Sequence, residues 1–331
     1  MSVDKVISDW KKNVYKPIYW IEGDEEFYVD QLVDYAERKI LSESEASFNL
    51  TVFYGKDAAW ADVLNACRKY PMFSDRQVVI LKEAQQMKEV DKLEPYIQTP
   101  LSSTILVVAF KDKKLDSRTR FAKLVKDRTQ YILTKKIYDN ALPEWVSSVV
   151  GGMGYSITPK ANSLIVDHIG NDLSRIKNEI DKILINLGAR KSITEEDVEN
   201  YVGISKEFNV FELQSAIAGR DLTKAIRIIQ YFDANPKVAP IQLVLPSLYT
   251  FFSKVYMVFG VSGGEEAIAK QIGVNPYFVK SYLQASKTYG FSGIEKILLL
   301  LHSYNLKGIG INAARVEDAE LLKEMVAKIM M

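Results

Sequence analysis

Cysteine and histidine are nearly absent from this chain of 331 residues: there is one cysteine, Cys67, and there are two histidines, His168 and His302. A single thiol excludes an internal disulfide framework and a cysteine-based zinc site, and it fits a reducing compartment. Both histidines stand among apolar helical residues, where packing or capping is a commoner role than base or ligand. Cys67 reads as a small buried hydrophobe rather than a nucleophile. An excess of one charge is missing as well: 43 Lys and Arg against 42 Asp and Glu leave a net charge of +1. The chain as a whole therefore offers nucleic acid no attraction, and any DNA contact must come from a local patch or from partner subunits. Residues 1–16 are interrupted by Asp4, Lys5, Asp9, Lys11 and Lys12 and hold no apolar secretory core. Later apolar stretches are broken by charge or proline short of a membrane span. Internal repeats and low-complexity tracts are absent too. The expectation is a soluble, cytoplasmic protein with no membrane contact.

What is present is material for burial, since 47% of the residues are hydrophobic. The chain is too long for one core and should divide into two or three domains. Residues 17–21 are aromatic and β-branched and run into Gly23, which reads as a buried strand feeding a turn, and 25–41 carry Phe27, Leu32, Tyr35, Ala36 and Ile40 at helical spacing. The alternation continues with strands at 48–54, 77–82, 103–110 and 129–133 and helical stretches at 58–70, 84–97 and 117–126. Strands separated by helical crossovers predict a mostly parallel sheet covered on both faces, an α/β domain over 1–140. From Tyr138 onward Leu142, Trp145, Val146 and Val149 bring in helical periodicity, and a small all-α domain over 141–205 follows, with helices near 158–168, 172–187 and 194–202. Thr194 followed by Glu195, Glu196 and Asp197 has the form of an N-cap with acids in the first turn. Residues 206–331 stay helical, with breaks at Gly219, Asn235-Pro236, 260–264, Asn275-Pro276, Gly290 and 307–310, and 239–259 should be the central helix of a bundle.

The first strand, turn and helix is where an α/β domain would hold a nucleotide phosphate, with the pattern G-x-x-x-x-G-K-[ST]. Counted from Gly23, the glycine, lysine and hydroxyl places fall on Tyr28, Val29 and Asp30, and none fits. Asp24, Glu25 and Glu26 in the turn favour a helix N-terminus but repel a polyphosphate. At the end of the strand over 77–82, where a magnesium-binding aspartate is expected, Lys82-Glu83 stands. Either the scaffold of a P-loop ATPase has been kept without its reaction, or the α/β domain is unrelated to those enzymes. The densest basic run, Lys111, Lys113, Lys114, Arg118, Arg120, Lys123, Lys126 and Arg128, is diluted by Asp112, Asp116 and Asp127. It reads as a solvated face, with Lys113, Lys114, Arg118 and Arg120 as a weak DNA contact. Residues 265–285 mimic a helix-turn-helix around Gly273, with Val279 and Leu283 inward. The second helix offers base edges only Lys280 and Gln284, so a structural hairpin is the expectation.

One connection stands apart. Between the helix ending near Lys69 and the run Val78-Val79-Ile80-Leu81, the loop Tyr70-Pro71-Met72-Phe73-Ser74-Asp75-Arg76 carries two large apolar side chains, Met72 and Phe73. Loops run over the surface, so such residues either fold back into the core or wait for a partner.

Together with Ile18-Tyr-Trp-Ile-Glu-Gly-Asp-Glu-Glu-Phe27, Pro71-Met-Phe-Ser-Asp-Arg-Gln-Val-Val-Ile80, Asp172-Leu-Ser-Arg-Ile-Lys-Asn-Glu-Ile180, Ile193-Thr-Glu-Glu-Asp197 and Asn305-Leu-Lys-Gly308, in that order and spacing, the chain resembles the delta subunits of bacterial DNA polymerase III clamp loaders over essentially its whole length. The resemblance implies a degenerate P-loop/AAA+-like parallel-sheet domain, a small lid-like helical domain and a C-terminal helical collar. It implies a subunit of the DNA polymerase III complex without an active site of its own, needing no cofactor and no metal, that grips the sliding clamp (beta) and opens it. The other implied partners are the gamma/tau ATPase and delta-prime subunits and, through the complex, primer-template DNA. The family's clamp-holding hydrophobic pair falls on Met72 and Phe73, flanked by Pro71 and Ser74, with Met in place of the more usual Leu. Arg175 falls near a nucleotide-sensing position and is expected to be structural. An active P-loop-like ATPase acting on DNA and a helix-turn-helix DNA-binding protein remain the alternatives.

Overall fold

A computed structural model describes residues 3–236, 239–311 and 317–331, and its chain divides into two units, Met1–Ile137 and Tyr138–Met331. The first contains α1 (Val3–Lys11), β1 (Ile18–Gly23), α2 (Glu26–Lys39), α3 (Glu43–Asn49), β2 (Leu50–Tyr54), α4 (Trp60–Cys67), β3 (Gln77–Lys82), α5 (Glu94–Gln98), β4 (Thr104–Lys111), α6 (Arg120–Arg128) and β5 (Gln130–Thr134). The strands form one sheet in the order β2-β3-β4-β1-β5, parallel throughout, with Ile18 opposite Leu106, Val79 opposite Leu106 and Tyr19 opposite Gln130. This is the parallel-sheet domain that the alternation of strand and helix predicts.

Strands buried on both faces read as continuous apolar runs, and the pleat sorts their residues by parity. Ile18, Trp20, Val79, Leu81, Leu106, Val108 and Phe110 join one core with α4 and α6. Tyr19, Ile21, Val78, Ile80, Ile105, Val107 and Ala109 join the other with α1 and α2. Each fully buried side chain of this kind contributes about 1.5–3 kcal/mol.

Two local readings are corrected. The strand expected from residue 48 begins at Leu50, because Ser42 and Glu45 form a capping box that starts a helix running through Asn49. The helical stretch expected over 84–97 is two 3₁₀ turns, Ala84–Gln86 and Val90–Leu93, followed by the single turn of α5. Glu83, with a φ of 51°, precedes it in the left-handed region, and Glu89, with a φ of 61°, interrupts it there.

The second unit begins with α7 (Leu142–Gly152), β6 (Ser156–Ile157), α8 (Pro159–Ile169), α9 (Leu173–Asn186), β7 (Ser192–Ile193) and α10 (Glu195–Val202). The segment expected to be all-α thus also holds a short parallel ladder, β6 on β7. Asp197 caps α10 by accepting from the Thr194 backbone N–H at 2.8 Å and is held by Arg190. There follow α11 (Val210–Ala218), α12 (Leu222–Ala234), α13 (Ile241–Val258), α14 (Glu265–Ile272), α15 (Val279–Gly308) and α16 (Asp318–Met330). Lys160 of α8 reaches Glu212 of α11 at 2.6 Å, and Lys224 of α12 reaches the same carboxylate. Although burial opposes it, these two cations hold Glu212 below its ordinary pKa.

The helix expected to be central is α13, which buries Ile241, Val244, Leu245, Leu248, Phe251, Phe252, Val255 and Val258. It packs along α15, which bends at Gly290, where a φ of 64° and ψ of 171° suit glycine. By length and composition alone α13 is long and apolar enough to cross a bilayer, with a mean hydropathy of 1.2 over 18 residues. This corrects the expectation that every apolar stretch stops short of that length. Its buried face lies in the core shared by α11, α12, α15 and α16.

Candidate functional site

The loop after α4 owes its starting point to two polar side chains buried in the sheet domain. Gln77, on the first residue of β3, directs its amide nitrogen at the carbonyls of Ala66 and Lys69 and at the Thr104 hydroxyl, and the Thr104 hydroxyl donates to the Cys67 carbonyl at 2.9 Å. Carbonyls at a helix end have no partner within the helix, so this pair satisfies α4's last turn from outside and fixes where the helix stops. Sequence reading missed both residues. A glutamine opening an apolar strand is the signal that was available.

Beyond that anchor the loop is clamped to the end of α3. Asn49, only 3% exposed, accepts from the Met72 N–H at 2.7 Å and donates to the Met72 carbonyl at 2.8 Å, so its amide pairs with one residue's backbone as a neighbouring strand would. The Ser74 hydroxyl donates to Glu45 at 2.7 Å. Glu45 also accepts from the backbone N–H and the hydroxyl of Ser42, and these bonds, Ser42's first and Ser74's after them, hold its carboxyl down at about 2. Arg76 closes the loop by stacking over the Tyr15 ring, 4.6 Å from its centroid.

The clamped loop presents its apolar residues to solvent. Met72 is 53% exposed and Phe73 92%, and Phe73 holds a left-handed φ of 54°. Tyr70 and Phe48 are exposed beside them, the Phe48 ring standing edge-on to Phe73 with centroids 6.4 Å apart. Pro71 and Ser74 flank the pair, half-buried. Of the two fates open to Met72 and Phe73, folding back is not the one adopted here.

The turn after β1 is filled by acids and their partners. Glu22, buried at the strand end, accepts from Tyr131 Oη, from Trp20 Nε1 at 3.2 Å and from the Leu115 N–H at 3.2 Å. A Cβ on Gly23, whose φ is 141°, would lie 2.0 Å from the Thr134 carbonyl oxygen, so strand β5 comes up against the glycine. Glu25 caps α2 by accepting from the Phe27 N–H. Val29 is fully buried, Tyr28 packs against the same core, and Asp30 pairs with Lys111 at 2.6 Å. At the end of β3, Lys82 is bound to Glu37 at 2.6 Å.

The basic run is largely neutralised within its own domain. Lys114 pairs with Asp24, Arg118 with Asp116, Arg120 with Glu94 and Arg128 with Asp127, whereas Lys113, Lys123 and Lys126 make no ion pair among the described residues. Cys67 is fully buried and burial pushes its thiol up to about 12. His168 is pushed down by burial, with Arg175 adding to it. Arg175 is exposed in the first turn of α9, where its backbone N–H donates to the Asp172 cap. In the hairpin of α14 and α15, Gly273 has a φ of 66°, Val279 is buried and Leu283 packs against the same cluster. His302 lines a groove of about 770 Å³ between α13 and α15 with Leu245, Pro246, Tyr249, Leu298 and Leu299. No group of three or more His, Cys, Asp or Glu among the described residues could hold a metal ion.

Comparison with known proteins converges on one family. The family model described as DNA polymerase III, delta subunit, matches residues 19–135, and that of the DNA polymerase III delta subunit, C-terminal domain, matches 207–321. The chain is 24% identical over 328 residues to the DNA polymerase III subunit delta of Bacillus subtilis (strain 168), covering 95% of this chain and 93% of that protein. Among solved structures, the Bacillus subtilis DNA clamp loader delta protein aligns over 99% of both chains with a TM-score of 0.55 and 22% identity. The last is a likeness of fold.

Proposed function

Because the chain belongs to the DNA polymerase III delta subunit family, and so is a clamp-loader subunit, we propose that it grips the sliding clamp with the tip formed by Pro71, Met72, Phe73 and Ser74 and biases the clamp's ring toward its open form. One observation carries this reading: two large apolar side chains, 53% and 92% exposed, sit side by side on a loop that hydrogen bonds from the buried Asn49 hold out from the fold. Burying each in an apolar pocket contributes about 1.5–3 kcal/mol, enough for the pair to be the interface's hot spot. Opening requires no chemistry in this subunit, since a partner that binds the open ring better shifts the equilibrium by that difference in affinity.

In this reading ATP acts through the gamma/tau ATPase and delta-prime subunits, by exposing or hiding the tip within the complex, and the chain has no active site and no cofactor of its own. The acids around β1, the burial of Val29 and the pairing of Asp30 and Lys82 support that part. Residues 1–140 bind the clamp, 141–205 act as a lid-like element and 206–331 form the collar that joins neighbouring subunits, where the apolar groove between α13 and α15 suits helix packing. Primer-template DNA meets the complex in the cytoplasm, with Lys113, Lys114, Arg118 and Arg120 adding a weak contact at most.

The test is surface-immobilised clamp from the same organism, with the wild type and the Met72→Ala/Phe73→Ala variant passed over it. Affinity should fall at least tenfold, which corresponds to about 1.4 kcal/mol, with the melting temperature nearly unchanged. A variant that melts early and still holds the clamp would overturn the reading.

A further inference from the structure

The clamp-binding reading names residues of one loop, yet the tip has two parents. Phe48 and Asn49 are the last two residues of α3, and they touch the loop at different places, Asn49 at Met72, 23 positions on, and Phe48 at Phe73. Asn49 turns inward and Phe48 outward. The inward amide satisfies both backbone groups of Met72, and the Ser74–Glu45 bond repeats the tie one helical turn back along α3. Phe73 is held between these two ties in a left-handed conformation that a bulky residue avoids when nothing compels it. The outward ring of Phe48, 65% exposed, then stands edge-on to Phe73 and lengthens the apolar surface beyond the loop.

Resting on the clamp-binding reading, we propose that α3 is part of the docking element: Asn49 is the positioning residue that presets Met72 and Phe73 for the clamp, and Phe48 is a third side chain the clamp buries. Phe48, Met72 and Phe73 make one contiguous exposed apolar surface, which marks an interaction site, and the occupant is the same apolar pocket that takes Met72 and Phe73, extended by one ring. Pre-ordering matters because a binding-competent conformation populated only in part lowers apparent affinity by that fraction. The two residues therefore act on different rates. Loss of Asn49 reduces the competent fraction and slows association, leaving the contacts in the complex intact. Loss of Phe48 removes a contact and speeds dissociation.

Full-length Asn49→Ala, Phe48→Ala and Met72→Ala/Phe73→Ala proteins are to be compared with wild type for association and dissociation rates on the immobilised clamp, with hydrogen exchange of the Met72 amide followed in the free proteins. For Asn49→Ala the expected result is association slowed about tenfold, dissociation little changed, and loss of protection at the Met72 amide. For Phe48→Ala it is dissociation faster by about fivefold with Met72 protection retained. Phe48 is exposed, so that variant folds even if Asn49→Ala does not, and Phe48→Ala binding like wild type overturns the third-contact claim. Asn49→Ala that loses Met72 protection but keeps wild-type association overturns the positioning claim. If these two variants bind normally while Met72→Ala/Phe73→Ala does not, the inference fails and the clamp-binding reading stands. If the double variant binds normally, both fall.

Discussion

Phe73 separates an interaction residue from a core residue by magnitude. Truncating a buried phenylalanine to alanine costs about 3–5 kcal/mol, from lost burial and the cavity left behind. At 92% exposure there is almost no burial to lose, and the remaining contact is one edge-on aromatic pair with Phe48, of order 0.5–1.5 kcal/mol. Phe73→Ala should therefore destabilise the protein by less than about 1.5 kcal/mol. Its backbone adds a second, opposite term. The φ of 54° is strained for any residue with a Cβ, so Phe73→Gly should be more stable than Phe73→Ala by roughly 1 kcal/mol, even though glycine is the more flexible residue when unfolded. Both variants should bind the clamp poorly. Urea unfolding followed by tryptophan fluorescence reads the difference, because Trp10 and Trp20 are fully buried in the domain that carries the loop. A loss of 3 kcal/mol or more in Phe73→Ala would show that the ring is core and that its outward position is wrong. Phe73→Gly less stable than Phe73→Ala would refute the strain.

Glu45, held at about 2 by Ser42 and Ser74 against an ordinary value of 4.5, contributes stability that is fully present above pH 4.5 and is lost as pH falls toward 2. Carboxyl NMR of Ser74→Ala should show the Glu45 titration moved upward, and an unmoved titration would remove Ser74 from the latch. Cys67, with its thiol pushed up to about 12 and its side chain buried, should resist alkylation by iodoacetamide at pH 8 in the native protein and react once unfolded. Calorimetry of the isolated protein with magnesium-ATP should give no binding heat, and a micromolar dissociation constant would sink the reading of a subunit without a nucleotide site.

Residue type and spacing alone determined the architecture. The runs at 18–21, 78–81 and 105–110 are apolar at every position, which a strand covered on both faces can use, and the helical spacing between them leaves a parallel sheet as the way to join them. The glycine, proline and asparagine breaks that divide the later helices are equally local, because each acts through its own backbone preference. Misfit at the phosphate loop was also legible, since Tyr28, Val29 and Asp30 fail by side-chain chemistry whatever their surroundings. What tertiary structure decided was direction and termination. Nothing within 70–76 tells whether Met72 and Phe73 turn in or out; that depends on an amide 23 residues away, on Asn49, and on a carboxylate on the same helix. Gln77 and Thr104 end α4 from separate strands, 27 residues apart. The strand signal at 48–49 was lost to a helix cap at Ser42. Backbone preferences are settled within a few residues of chain, whereas the partner of a buried polar group is chosen by whichever segment the fold brings beside it.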